Sequence, residues 1–196
     1  MTIRATEYIP YATAINAMHG RRFAEDSLGI DLNNMLTVNW SLVGYLGYEA
    51  KCAQMELRKR VSRAWRYRQS KTQFCDFTYI ECLESPNGNF HAHVLLYVPK
   101  GEEEWFLNLV ESRVEKLVGQ RLPKTMIDLT KVDHSGAVLK YLCKGVSPAY
   151  AEHLHLDTSP QGQVIGQRMS SSRAISTTAR NRAGWKRKRR FSSLNR

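Results

Sequence analysis

Two histidines separated by one residue, His91 and His93, are the first side chains in this sequence whose types and spacing could do chemistry. They lie in a run of apolar residues typical of a β-strand, and residues two apart on a strand project from the same face of a sheet. Two neutral imidazoles on one face form part of many divalent-metal sites. The pair therefore predicts metal-dependent chemistry on one surface of a sheet.

The segment before the histidines supplies a candidate third ligand. Asn87-Gly88 separates two apolar runs, which is a strong signal for a β-hairpin. With a two-residue turn at these positions, Glu84 faces His91, whereas Glu81 points to the opposite face of the sheet. Glu84 is the expected third ligand, although one β-bulge would give that place to Glu81.

The expected metal ion is Mg²⁺ or Mn²⁺. Two imidazoles and one carboxylate leave coordination positions open, which suits an ion held jointly with a substrate phosphate. Cys82 is expected opposite His93 and would favour zinc. A structural zinc site, however, needs a fourth protein ligand and more sulfur than this segment offers.

A tyrosine and a lysine three residues apart, Tyr141 and Lys144, form the second candidate group. They lie outside the apolar stripe of a helix predicted over residues 135–144, and positions i and i+3 of a helix are neighbours. A nearby ammonium favours the phenolate or stabilises charge that develops at phosphorus. The pair predicts a tyrosine nucleophile assisted by a lysine. Lys140 is an alternative source of the ammonium, and a solvated surface pair is the non-catalytic interpretation.

The elements that must position these groups alternate along the chain. The predicted strands cover residues 35–40, 74–83, 90–98 and 125–132. The predicted helices cover residues 46–68, 102–118 and 135–144. The order strand, helix, hairpin, helix, strand, helix predicts an α+β fold, in which helices pack on one face of an antiparallel sheet.

Three segments differ in composition. Residues 1–33 carry weak signals, with a short helix near residues 12–18, and are expected to form an appended N-terminal arm. Residues 34–165 form the predicted central domain. Residues 166–196 are rich in Ser, Thr, Arg and Lys and are expected to form a basic, flexible C-terminal tail.

The composition indicates the class of partner. Lys and Arg number 29 against 18 Asp and Glu, so the net charge of +11 points to a polyanion: nucleic acid first, an anionic membrane surface second. No apolar run approaches the roughly 18 residues of a membrane span, and the N-terminus lacks a signal-peptide pattern. The 4 cysteines show no CxxC spacing and are expected to be free thiols, as in a reducing cytoplasm. We therefore expect a cytoplasmic protein without a membrane role.

These features together resemble the HUH endonuclease superfamily, named for its His-hydrophobic-His motif. Three segments carry the resemblance in family order: residues 35–40 (MLTVNW), 90–96 (FHAHVLL) and 141–145 (YLCKG). The similarity is to single-tyrosine rolling-circle replication initiators, and it implies a ferredoxin-like, RRM-related sheet with residues 34–165 as the endonuclease domain. The uncertain acid position and Asn39 in the first segment depart from the usual pattern.

The resemblance implies an enzyme that nicks and rejoins single-stranded DNA to start rolling-circle replication of a plasmid or phage. His91, His93 and one glutamate would place Mg²⁺ or Mn²⁺ on the scissile phosphate. Tyr141 would attack that phosphate and form a 5′-phosphotyrosyl linkage, and Lys144 would orient or stabilise the reacting groups. The implied partners are single-stranded or hairpin origin DNA and the host helicase and polymerase. The alternatives are a transposase or relaxase of the same chemistry, a non-catalytic nucleic-acid-binding module and an RNA-processing hydrolase.

Basic residues of the long helix, the tyrosine helix and the tail would then hold DNA phosphates. The candidates are Arg58, Lys59, Arg63, Arg66, Lys140, Arg173, Lys186, Arg187 and Lys188. Trp65, Tyr67 and Trp185 could stack on unpaired bases, with packing in the core as the alternative for each.

Overall fold

Strands and helices alternate along residues 4–72 and 75–186, the part of the chain that the computed structural model describes. The strands are β1 (Ala5–Thr6), β2 (Asn34–Asn39), β3 (Tyr79–Glu84), β4 (His91–Leu96), β5 (Ile127–Lys131), β6 (Val164–Ile165) and β7 (Met169–Ser171). The α-helices are α1 (Tyr11–Leu28), α2 (Gly47–Gln69), α3 (Glu103–Val118), α4 (Ser135–Leu142), α5 (Pro148–Leu154) and α6 (Thr177–Arg182). No helix in these residues is long and apolar enough to cross a membrane.

A five-stranded antiparallel sheet forms the centre of the molecule. Its strand order is β5-β2-β4-β3-β7, and β1 pairs with β6 in a separate two-stranded sheet. The predicted α+β class with an antiparallel sheet is confirmed. The predicted elements are all present, with ends that differ by a few residues.

Helices cover both faces of this sheet, so the prediction that they pack on one face is wrong. On one face, which we call the α2/α3 face, these two helices pack against apolar residues such as Leu36 and Val94. On the other, the α1/α4 face, the two helices pack against Ile80, Cys82 and Leu95. The physical reason is the unbroken apolar run at the end of β4, which points side chains to both faces and needs cover on each.

Helix α1 is part of the core, whereas residues 1–33 were expected to form an appended arm. Helix α1 buries Ala14, Ala17 and Phe23 in the α1/α4 cluster. At Gly20 an added Cβ would lie only 3.0 Å from the backbone oxygen of Ile175, so the chain approaches the helix closely there. A contact stripe made largely of alanine and glycine gives a weak periodic signal, which explains why the sequence underestimates this helix.

The described part of the expected flexible tail is also packed. Strand β7 extends the sheet at its β3 edge, and Arg168 and Arg180 are buried at 1% and 5% exposure. The Arg180 guanidinium donates to the Ile175 carbonyl oxygen at 2.7 Å and to the Asn16 side chain at 3.0 Å. A backbone carbonyl and a side-chain amide oxygen thus accept hydrogen bonds from a guanidinium that looks solvent-exposed in the sequence. Residues 187–196 lie outside the described residues.

The pairing of β3 with β4 positions the histidines. Glu84 is opposite His91 and Cys82 is opposite His93, which confirms the predicted register. The connection is a six-residue segment rather than a two-residue turn, because the amide of Ser85 donates to the Gln161 carbonyl at 2.9 Å instead of continuing the hairpin. Asn87 and Gly88 do adopt the positive φ values, 52° and 83°, that the Asn-Gly signal predicts.

Candidate active site

The two imidazoles lie on the α1/α4 face, as the period of the strand requires. His91 and His93 alternate along β4 with residues of the α2/α3 cluster, and their ring centroids are 6.0 Å apart. Strand β2 places Thr37 opposite His93 and Asn39 opposite His91. Both histidines therefore sit on β4, the central strand of the sheet, where their backbone is held from both sides.

A threonine fixes the orientation of one histidine. Thr37 Oγ1 lies 3.0 Å from His93 Nδ1, and His93 Nε2 lies 3.8 Å from Glu84 Oε2. When Nδ1 carries the proton and donates to the threonine, Nε2 presents its lone pair toward the glutamate. Sequence reasoning missed Thr37. Its signal was its place in the first motif, on the face that the register brings beside the histidines.

Both imidazoles are neutral near pH 7. Burial lowers the pKa of His93 to about 4, and the positive charge of Lys144 and the neighbouring His91 act in the same direction. Burial, followed by the charge of Lys144, also lowers the pKa of His91. Neutral imidazoles have a free lone pair, so both rings can act as metal ligands without first losing a proton.

Glu84 is a buried carboxylate with one unpartnered oxygen. Its side chain is 3% exposed, and Oε2 lies 3.2 Å from Lys144 Nζ. Oε1 is buried and has no hydrogen-bond partner among residues 4–72 and 75–186. Burial raises the pKa of Glu84, and the nearby ammonium of Lys144 opposes that rise. An unsatisfied buried carboxylate oxygen is costly, and such groups are typical of ligand sites.

Lys144 joins the glutamate to the tyrosine. Its Nζ lies 3.8 Å from the centre of the Tyr141 ring. Burial acts to lower the pKa of Lys144, but the hydrogen bond to Tyr141 and the charge of Glu84 outweigh it, so the pKa is raised. The side chain is thus an ammonium at neutral pH. Tyr141 is 52% exposed, with its ring accessible from solvent, whereas Lys140 lies exposed on the preceding turn.

The alternative third ligand, Glu81, lies on the wrong face. Its carboxylate accepts hydrogen bonds from Gln54 Nε2 at 2.8 Å, from Arg58 Nη1 at 2.5 Å and from Ser170 Oγ at 3.3 Å. These partners belong to the α2/α3 face and the β7 edge. The register leaves Glu84 as the glutamate beside the histidines.

The side chains of His91, His93 and Glu84 are of types that bind a divalent cation, although they do not converge on one metal position. Two neutral imidazoles, from His91 and His93, face a carboxylate that has a free oxygen, which are ligands that Mn²⁺ and Mg²⁺ accept. Among the described residues, no three His, Cys, Asp or Glu side chains form a group that could hold a metal ion as they stand. The ammonium of Lys144 instead lies against the carboxylate of Glu84.

The predicted DNA-binding residues are divided between the two faces. Lys59, Arg63 and Arg66 are exposed, but they lie on α2, which covers the face opposite the histidines. Arg58 is held in the ion pair with buried Glu81, which makes it a structural residue rather than a free phosphate ligand. Lys140 is exposed on α4, next to Tyr141.

The remaining basic candidates are spread along the end of the chain. Arg173 and Lys186 are exposed, and Arg187 and Lys188 lie outside the described residues. Arg168 lies in the segment expected to form a basic tail, yet it is buried, and its guanidinium donates to the backbone carbonyls of Leu83, Gln161, Thr6 and Gly162. It therefore ties the end of β3, immediately before Glu84, to the later chain. Nothing in the local sequence distinguishes it from a surface arginine.

Two of the three candidate stacking aromatics are packed. Trp65 lies on the buried side of α2, and its indole N–H donates to the Cys75 carbonyl at 2.8 Å. Trp185 packs edge-on against Phe23, with ring centroids 6.0 Å apart. Tyr67 is 65% exposed, on the α2/α3 face. The packing interpretation therefore holds for both tryptophans.

Comparisons with known proteins leave the site to be judged on its own geometry. No protein-family model matches this chain, and no curated protein matches its sequence. The functional argument therefore depends on the contacts among the side chains themselves.

Proposed function

We propose that the protein is a metal-dependent endonuclease of the HUH type, which nicks and rejoins single-stranded DNA through Tyr141 to initiate rolling-circle replication. One observation carries the proposal. Tyr141, Lys144, Glu84 and His93 form a connected row on one sheet face, with successive separations of 3.8, 3.2 and 3.8 Å. The row joins a nucleophile, a cation, a carboxylate and an imidazole through consecutive contacts.

The topology supports the family assignment. The elements β2, α2, β3, β4, α3 and β5 follow in the order of a β-α-β-β-α-β unit, and their strands lie in the order β5-β2-β4-β3. This is the arrangement of ferredoxin-like domains. The histidine strand is central in it, and the tyrosine helix α4 follows the last strand of the unit.

The chain's own residues account for the nucleophilic step. Oη of Tyr141 forms a bond to phosphorus while the bond from phosphorus to the 3′ oxygen breaks, which leaves a 5′-phosphotyrosyl linkage and a 3′-hydroxyl. The phenol loses its proton to solvent, because the side chain is 52% exposed, and the leaving 3′ oxygen takes one from water. Lys144 remains protonated and stabilises the negative charge on the phenolate and on the phosphorane oxygens.

His91, His93 and Glu84 are the residues that would hold Mg²⁺ or Mn²⁺, and the bound ion would neutralise the phosphate and fix its orientation. Thr37 keeps the His93 lone pair directed into the site. The 3′-hydroxyl left by the nick is a primer end for a polymerase, and the displaced strand is a substrate for a helicase. We therefore include these host replication proteins in the proposal.

The test is formation of a covalent adduct. Purified protein with Mn²⁺ and single-stranded DNA from its own replicon should give a protein–DNA band that survives denaturation. Tyr141→Phe keeps the ring beneath Lys144 and removes only Oη, so it should abolish the band while DNA affinity stays within about 2-fold of the parent. Tyr48→Phe is the matched control, because Tyr48 is similarly exposed, at 54%, and lies on α2.

A second function has one observation in its favour. The ammonium of Lys144 lies against Glu84, and no assembled metal group is present in the described residues. A non-catalytic nucleic-acid-binding module would show this arrangement, and it would bind DNA in EDTA without forming an adduct. Cleavage that persists in Tyr141→Phe would instead identify a hydrolase that uses water as nucleophile. Joining of transposon ends or of a conjugative origin would identify a transposase or a relaxase of the same chemistry.

A further inference from the structure

Three tyrosines other than Tyr141 are partly exposed in segments that lie close to the end of α4. Tyr8 is 42% exposed, Tyr11 39% and Tyr150 45%. We call these three side chains the tyrosine platform. Exposed aromatic groups that are close together on a surface mark binding sites more often than chance positions.

Backbone contacts bring the platform to the end of the tyrosine helix. The amide of Ile9 donates to the Gly145 carbonyl at 2.8 Å, immediately after Lys144, and Ile9 forms a β-bridge with Val146. Tyr8 directly precedes Ile9 in the sequence, and Tyr11 follows it by two residues. Tyr150 lies on α5, which begins two residues after Val146, and its ring centroid is 5.1 Å from that of Tyr11.

The packing of α1 on α4 places the platform and the nucleophile at the same end of this helix pair. At the start of α4, Ser135 accepts a hydrogen bond from Arg21 at 3.2 Å, in the second half of α1. At the other end, the segment just before α1 contacts Gly145. The two helices are therefore antiparallel, and Tyr11, the first residue of α1, lies at the Tyr141 end of α4.

A third contact connects the platform to the metal-ligand end of the sheet. Gly145 packs against Ile9 and Gln161, whose carbonyl accepts the amide of Ser85 at 2.9 Å. Ser85 directly follows Glu84. The segments that carry the exposed rings, the nucleophile and the carboxylate therefore converge on one turn of chain, residues 143–146.

We propose that the tyrosine platform binds unpaired nucleobases of single-stranded DNA beside the phosphodiester that Tyr141 attacks. This inference deepens the proposed function and rests on it for the position of the scissile phosphate. Aromatic rings stack on unpaired bases with about 1–3 kcal/mol per base, independent of sequence, whereas the bases of a duplex are already stacked. The platform thus selects single-stranded over duplex DNA, and the exposed Lys140 supplies charge for the phosphates.

The experiment measures binding rather than cleavage. The parent is full-length Tyr141→Phe, and the probe is a fluorescein-labelled oligothymidine or a labelled duplex, both titrated in EDTA and followed by anisotropy. Tyr11→Leu/Tyr150→Leu should raise the Kd for oligothymidine by about 10-fold or more and leave the Kd for the duplex within about 2-fold. Tyr11→Phe/Tyr150→Trp keeps the rings and should bind like the parent.

Tyr48→Leu is the matched control, since it removes an equally exposed ring from α2. The platform is overturned if ring-deleting and ring-preserving variants bind oligothymidine alike, if the duplex is weakened equally, or if Tyr48→Leu causes the same loss. Melting temperatures identify any variant that is unfolded. If the ring-deleting variant is unfolded, the ring-preserving variant Tyr11→Phe/Tyr150→Trp is compared with the parent instead. If the wild-type chain forms the adduct but loss of the platform rings does not weaken binding, only the platform proposal is contradicted. If loss of the rings weakens binding but no adduct forms, only the proposed nuclease function is contradicted.

Discussion

Glu81 and Glu84 are three residues apart on one strand, both are buried, and their surroundings are opposite in kind. Glu81 has a partner for each oxygen: the amide of Gln54 on Oε1, and the guanidinium of Arg58 with the hydroxyl of Ser170 on Oε2. Glu84 has an ammonium on one oxygen, and its other oxygen has no hydrogen-bond partner within the described part of the chain. A carboxylate with all its partners contributes to holding the fold together. In our proposal, the incomplete one serves to bind a ligand.

The same contrast extends to the two faces of the sheet. On the α2/α3 face, Gln54 also accepts the indole N–H of Trp40 at 2.9 Å, so the polar groups form a closed network within an apolar cluster. On the α1/α4 face, two neutral imidazoles, an ammonium and a partly exposed phenol lie in the row that includes Glu84. In our proposal, one face serves stability and the other serves chemistry.

The largest expected effect comes from Glu84→Gln. The substitution removes the negative charge beside His93 and Lys144, and we expect adduct formation to become undetectable in Mn²⁺. Because burial raises the pKa of Glu84, its ionised form opposes folding, and a neutral amide should leave the free energy of unfolding within about 1 kcal/mol of wild type or increase it. Urea unfolding and the adduct assay measure the two quantities on one preparation. Full activity in this variant would remove Glu84 from the site.

Glu81→Ala should show the reverse behaviour. It leaves Arg58 and Gln54 without their acceptor, and breaking a buried pair in this way costs about 3 kcal/mol, at the lower end of the usual range because Arg58 is 28% exposed. Urea unfolding should report that loss, while adduct yield per folded molecule stays unchanged.

An apolar pair sharpens this test. Arg58→Leu/Glu81→Leu removes both charges at once and should recover most of the lost stability. If Glu81→Ala abolishes the adduct at a temperature where the chain is folded, the assignment of the two glutamates to separate roles is wrong.

Acid should destabilise the protein through the α1/α4 face. In EDTA, burial holds the pKa of folded His93 at about 4, below the 6.5 of a free histidine, so the unfolded chain takes up the proton first as the pH falls. The free energy of unfolding should therefore drop by about 3 kcal/mol between pH 6.5 and pH 4 on account of this residue. The raised pKa of Glu84 contributes in the opposite direction. His93→Gln should lose the His93 part of the slope, and an identical slope in both proteins would contradict the burial of that imidazole.

The sequence predicts those parts of the site that depend on local periodicity. The pairing of Glu84 with His91 follows from an Asn-Gly signal and the two-residue period of a strand, and the position of Tyr141 beside Lys144 follows from the period of a helix. These are short-range relations. Both predicted relations are present, even though the loop between β3 and β4 is longer than expected.

The parts that the sequence did not predict depend on contacts between distant segments. Helix α1 packs through alanines and glycine, whose small side chains give little periodic signal. Arg58 and Arg168 look like surface charges until Glu81 and the backbone carbonyls around Gly162 are brought to them. A one-sided sheet was expected because the apolar run in β4 does not reveal which elements cover its second face.

The smallest effect that the comparison predicts concerns Thr37, which acts on the site through His93. Thr37→Val keeps the shape of the side chain and removes the oxygen that lies 3.0 Å from His93 Nδ1. The imidazole then loses the partner that directs Nε2 toward Glu84, and loss of such an outer contact weakens metal binding by roughly 10- to 100-fold. The Mn²⁺ concentration that gives half-maximal adduct should rise by that factor, while the yield at saturating Mn²⁺ stays near wild type. Thr130→Val makes the same change at an exposed position of β5 and should alter neither value. A loss of yield that saturating Mn²⁺ does not restore would mean that Thr37 contacts the reacting groups themselves rather than orienting a ligand.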